Sequence, residues 1–174
     1  MIYLMRHGLD DERFIGGHSD VPLVSKGIEQ VIKARDFVDN NLFINKIISS
    51  DIKRAVQTSK IMGVLEFSNK LRELDKGDLT GLEKSIALER YPQFVKLSDI
   101  NVKYPNGESL ILFYERIKNS LSEILSQDNS LIVTHRGVIN MIYFIFNGVP
   151  LCYDKEMFGV DHASIHECDF ERKL

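Results

Sequence analysis

The sequence predicts an α/β fold: a three-layer α/β/α domain with a mainly parallel sheet. Three observations carry the α/β/α reading. Short apolar runs stop abruptly at polar residues, helical patterns with one apolar stripe alternate with them, and the turns between are short. Parallel neighbours need crossover connections, and the helices supply them, lying on both faces of the sheet.

The first run, residues 1–5, ends at Arg6-His7-Gly8 and reads as a buried strand. Behind it Ile28, Val31, Ile32, Arg35 and Val38 recur at helical spacing, with Ser25 as the expected N-cap and Glu29 in the first turn. Residues 44–48 form a second strand that stops at Ser49-Ser50-Asp51. Ile52, Ala55, Val56, Ser59 and Met62 then repeat the helical pattern behind Asp51. Leu110, Phe113, Ile117, Leu121 and Ile124 do so behind Ser109, which reads first as a helix cap. Residues 131–133 make a third buried strand ending at Thr134-His135. Residues 136–147 form a helix apolar on nearly every side, stopped by Gly148 with Pro150 beyond. Residues 163–170 alternate like an edge strand.

At 174 residues, 44% hydrophobic and 27% charged, the chain fits one domain over residues 1–174, and no repeat or Pro/Gly/Ser-rich linker divides it. A net charge of -3 is too mild for a nucleic-acid or polybasic membrane binder. The N-terminus meets Arg6 before a signal-peptide core could form, and the apolar run 138–146 is about half the roughly 20 residues of a membrane span. Cys152 and Cys168 are too few for a disulfide framework, so the expected setting is the reducing cytoplasm. No heptad seam or apolar stripe indicates an oligomeric state.

In open α/β sheets ligands bind beyond the carboxyl ends of the strands. Three predicted strands converge there: one delivers Arg6 and His7, one leads into a helix with Arg54 on its first turn, and one ends at His135. Two arginines and two histidines beside helix N-termini prefer a compact anion, phosphate above all. Taken singly, each has a bland reading as a solvated charge or a surface histidine. Their coincidence at three strand ends is the signal.

The motifs resemble those of the histidine phosphatase superfamily, in its phosphatase branch of alpha-ribazole phosphatase-like and broad-specificity enzymes, and the resemblance implies a phosphoglycerate mutase-like fold. Leu4-Met5-Arg6-His7-Gly8 looks like the RHG signature. Asp20-Val21-Pro22-Leu23 with Gly27, the block from Ser50 to Ser59, and Leu71-Arg72-Glu73 with Gly77 and Gly81 follow in the family's order. Pro105-Asn106-Gly107-Glu108-Ser109 and Val133-Thr134-His135 complete the series over nearly the whole chain.

The resemblance implies that His7 is the nucleophile, that Arg6, Arg54 and His135 hold the phosphoryl oxygens, and that Glu73 donates the proton. The implied activity is metal-independent and cofactor-free hydrolysis of a small phosphorylated metabolite through a phosphohistidine. A neutral imidazole can attack phosphorus while fixed guanidiniums offset charge on the oxygens. A carboxyl beside arginines makes a poor acid until a phosphate dianion arrives, so Glu73 is expected to take up its proton in the complex. Asp75 and Asp78 are the next acids along the chain, and both read as loop charge.

The loop after Gly8 is about four residues shorter than the family's pattern. Across that gap Arg13 and Gly16 match substrate-lining positions, as Glu108 does further on. Arg136 stands where the family commonly has a small residue, and either adds a cation to the pocket or points outward. His162 and His166, with Cys168 beyond, have a spacing that could serve a metal, but no further Cys/His cluster supports one. His18 has no assigned role. A mutase returning the phosphoryl group to substrate, a phosphohistidine or phosphoserine protein phosphatase, and an inactive binding module are the rival readings. The short chain, with no room for enclosing segments between Leu82 and Gly107, argues against the mutase; the presence of both His7 and Glu73 argues against the binding module.

Overall fold

The computed structural model describes residues 1–63, 66–125, 129–154 and 156–169. Its sheet has five strands in the order β3-β2-β4-β1-β5. They are β1 (Ile2–Arg6), β2 (Lys46–Ser50), β3 (Glu66–Ser68), β4 (Ser130–Thr134) and β5 (Ile165–Cys168). The first four run parallel, and β5 pairs antiparallel with β1 as an edge strand. Met5 lies opposite Val133, and Val133 opposite Ser49. The carboxyl ends of β1, β4 and β2 are therefore level, which puts the segments after Arg6, Thr134 and Ser50 side by side.

The pleat sends alternate residues to opposite faces. Met5, Leu131 and Val133 pack with Val31 and Val38 of α1 (Ser25–Asn41) and Ala55 and Met62 of α2 (Lys53–Met62). Two short helices, α3 (Lys84–Arg90) and α4 (Pro92–Val95), precede the two that cover the other face. There Leu4 and Ile132 pack with Phe113 and Ile117 of α5 (Leu110–Ile124) and Val138 and Ile142 of α6 (Arg136–Asn147). The central strand β4 is buried along its whole length, as a strand covered on both faces must be. Among the described residues no helix is long and apolar enough to cross a membrane.

Ser109 caps α5 as expected, accepting from the Leu112 N–H at 3.3 Å. Helix α6 has the expected bounds and ends at Gly148 with φ 62°. Other expectations shift. Ser25 is the first residue of α1 rather than its cap: Val24 stands at the cap and no side chain caps the helix. Ile28 and Ile32 are 40% and 46% exposed, because the sheet-facing stripe is Gly27, Val31 and Val38. The cause is a close backbone approach, since a Cβ on Gly27 would lie 2.1 Å from the Leu9 carbonyl oxygen. Only glycine lets the helix turn this face to the chain leaving β1. Strand β2 starts two residues later than expected, and Arg72 binds both carboxylate oxygens of Asp51 at 2.7 and 2.6 Å. Strand β3 and helices α3 and α4 carried no periodic signal. Phe170, at the end of the expected edge strand, lies outside the described residues.

Candidate active site

His7 leaves β1 with its backbone N–H still in the ladder, donating to the Thr134 carbonyl at 2.9 Å. Its Nδ1 lies 2.7 Å from the Gly8 carbonyl. A carbonyl only accepts, so Nδ1 carries the ring proton and Nε2 keeps a lone pair. That lone pair accepts from Arg54 Nε at 3.1 Å. Burial, and next the Arg54 cation, push the His7 pKa well below its usual value, so the imidazole is neutral at physiological pH. The result is an oriented nucleophile with its free electron pair against a guanidinium.

Arg54 comes from the first turn of α2 and is 2% exposed. Its NH2 donates to the Gly17 carbonyl at 2.8 Å, and Asp10 approaches its Nε at 3.5 Å. Arg6 donates from NH1 to the Val160 carbonyl at 2.7 Å and from NH2 to His162 Nε2 at 2.5 Å. Burial lowers the Arg6 pKa to about 10, which still leaves it charged at neutral pH. His135 is fully buried, its ring centre 5.2 Å from that of His7. Its Nε2 meets Ser50 Oγ at 2.9 Å, while Nδ1 is buried without a hydrogen-bond partner among the described residues. Burial and then Arg54 also push the His135 pKa well down.

Glu73 bridges two backbone amides, its Oε1 accepting from Leu74 at 2.8 Å and its Oε2 from Gly137 at 3.0 Å. The second amide opens α6. A Cβ on Gly137 would fall 2.0 Å from Glu73 Oε1, so the glycine makes room for the carboxylate. The Glu73 backbone is braced as well: Arg116 donates to the Arg72 and Glu73 carbonyls, and His18 Nε2 donates to the Glu73 carbonyl at 2.8 Å.

Arg6, His7, Arg54, Glu73, Gly16 and Arg136 all line one cavity of about 430 Å³. His135 sits just beneath, behind His7. Two expected substrate contacts do not line the cavity. Arg13 is turned to Asp11, which it grips through both carboxylate oxygens on the exposed surface. Glu108 is gripped by Arg116 at 2.7 and 3.0 Å and accepts from the Asp75 N–H, so it supports the Glu73 loop from behind. Arg136 does enter the cavity wall, paired with exposed Glu156 at 2.6 Å.

Two residues in the site escaped the sequence reading. Asp10 lines the cavity, and its pKa is lowered to about 2 although burial acts the other way. The opposing pull comes first from a hydrogen bond to His162, then from neighbouring His7 and the Arg54 cation. His162 parts from His166, which instead meets Tyr143 Oη and Ser164 Oγ. The signal for His162 was available, since an antiparallel edge strand beside β1 must bring the residues before it to the end of β1. Atoms of His7, Asp10 and His162 do lie within 4.8 Å of one another. Guanidiniums of Arg6 and Arg54 contact all three, which suits the cluster to an anion rather than a cation.

A neutral imidazole, two buried cations held mostly by neutral carbonyls and a carboxylate line one cavity, with the buried His135 ring next to His7, and these are the groups that phosphoryl transfer of the histidine type would use. The chain matches the histidine phosphatase superfamily (branch 1) over residues 2–173, and it belongs to that family of phosphatases and mutases. It is similar to phosphoglycerate mutase-like protein 4 of Arabidopsis thaliana, 34% identical over 158 residues that cover 82% of this chain and 69% of that protein. A probable phosphoglycerate mutase of Citrobacter koseri is 27% identical over 187 residues, covering 99% and 86% of the two chains. The fold matches the alpha-ribazole phosphatase from Shigella flexneri with a TM-score of 0.80 at 24% identity, over 94% of this chain and 87% of that one.

Proposed function

We propose that the protein is a phosphomonoesterase that hydrolyses a small soluble phosphate ester through a phosphohistidine on His7. The observation that carries this reading is the His7 ring itself: its tautomer is fixed by Gly8, its lone pair lies against Arg54, and it lines the cavity. In the forward step Nε2 forms a bond to phosphorus as the ester P–O bond breaks, and Glu73 passes a proton to the departing alkoxide. Arg6, Arg54 and His135 Nδ1 take the phosphoryl oxygens. Water, deprotonated by Glu73, then attacks phosphorus, releasing inorganic phosphate and restoring Nε2.

A second reading is a mutase, in which a bound hydroxyl takes the place of water. Relatives named as phosphoglycerate mutases favour it. The experiment is hydrolysis of p-nitrophenyl phosphate in EDTA by the wild-type protein and by His7→Ala. Turnover by the first, with a loss of more than about 10³-fold in the second, supports the reading. Equal rates in the two would remove His7 as nucleophile. Transfer of the phosphoryl group to added 2- or 3-phosphoglycerate faster than release of phosphate would select the mutase.

A further inference from the structure

The cavity continues beyond the phosphate cradle along α6, from Gly137 past Asn140 to Met141 and Phe144. At about 1.5 Å rise per residue, these two lie about 6 and 10 Å from Gly137 along the helix axis. Leu110 and Phe113, on the first turn of α5, form the facing wall, with Tyr104 and Tyr153 beside them. Phe113, Met141 and Phe144 are only 1%, 3% and 2% exposed, so this part of the wall belongs to the folded core. Of the charged side chains further out, Glu12, Lys84 and Asp154 are exposed at the mouth, and Lys76 is half-buried. Arg136 is already paired with Glu156.

We infer that this apolar lobe receives the alcohol part of the substrate. The substrate class is then a phosphate monoester whose alcohol carries an apolar, ring-sized body about 6–10 Å beyond the phosphate, rather than a small polyol or hydroxy-acid phosphate. A carboxylate placed between Phe113 and Met141 would lose its water and meet only neutral side chains there, those of Asn140, Tyr104 and Tyr153, whereas a ring buries its surface. The inference rests on the phosphatase reading for the turnover but not for the binding, which allows the two to be tested apart.

The test is calorimetric binding of three phosphonates, which cannot be hydrolysed, to the full chain: propylphosphonate, 3-phenylpropylphosphonate and 3-phosphonopropionate. The phenyl compound should bind about 30-fold or more tighter than the propyl one, and the carboxylate compound no tighter than the propyl one. Leu88→Asp, at a residue of the same cavity that is 55% exposed and so tolerant of change, should cut the phenyl advantage several-fold. Equal affinities for phenyl and propyl, or tightest binding of the carboxylate compound, would overturn the inference. Phosphonates that bind as expected while no phosphate ester is turned over would sink the phosphatase reading alone. Failure of all three to bind would sink both.

Discussion

Lowering the pH from about 7 to about 5 should destabilise the protein through His7 and His135. Both are buried, 4% and 0% exposed, and burial followed by the Arg54 charge pushes both pKa values well below the usual range. Unfolded, each titrates near 6.5. Below that pH the unfolded chain therefore binds protons that the folded chain refuses, so stability is whole above about 6.5 and falls as the pH drops. For a histidine that stays neutral when folded, the loss between pH 7 and 5 is about 1.9 kcal/mol, or about 4 kcal/mol for the two. His166 shifts in the same direction but is half-buried, so its share is smaller. The lowered carboxylates Asp10, Asp51 and Glu108 act mainly below about pH 5, where the unfolded groups titrate. Urea unfolding at the two pH values measures the difference, and His7→Asn should reduce it by about half. A wild-type loss under about 1 kcal/mol, or an unchanged loss in His7→Asn, would refute the account.

Gly137→Ala places a methyl on Glu73 Oε1, so it should lower kcat by about 10²-fold or more while propylphosphonate affinity changes little; a wild-type kcat would mean that the carboxylate position is unimportant. Arg116→Ala leaves Glu108 without its cation and the Arg72 and Glu73 carbonyls without their donor, and should cost about 1–3 kcal/mol in denaturant unfolding together with part of kcat. His162→Ala removes the acceptor that fixes Arg6, and should weaken product inhibition by inorganic phosphate about 5- to 10-fold with a smaller change in kcat. If phosphate inhibits His162→Ala as it does wild type, His162 has no part in holding the cradle.

The layer order and the phosphate cradle were legible because each rests on short-range pattern. Apolar runs that end in polar residues gave β1, β2 and β4, and level strand ends then put Arg6, His7, Arg54 and His135 together. What was hidden depends on which side chains pair and which backbones touch, near or far along the chain. Arg13 matched a substrate position by alignment of motifs, yet a carboxylate two residues away captures its guanidinium. Asp51 is bound by Arg72, 21 residues on. Asp10 and His162 meet only because β5 returns beside β1, 152 residues separating the two side chains. The exposed Ile28 and Ile32 follow from a glycine contact that no hydrophobic period encodes.

The partners of the two cradle arginines decide how much charge the site can offer. Arg6 is held by the Val160 carbonyl and a neutral-side nitrogen of His162, and Arg54 by the Gly17 carbonyl and His7. These acceptors fix the guanidiniums without neutralising them. Asp10 approaches Arg54 at 3.5 Å and His162 at 3.8 Å, looser than a closed ion pair. Glu73 also offsets both arginines, but from a distance, since its carboxylate oxygens are bound to backbone amides. Burying cations this way is costly, and the lowered pKa values of Arg6 and Arg54 record that cost. On the proposed reading a phosphate dianion entering between them would relieve it, so the same desolvation would strengthen the hold on a compact, doubly charged ligand.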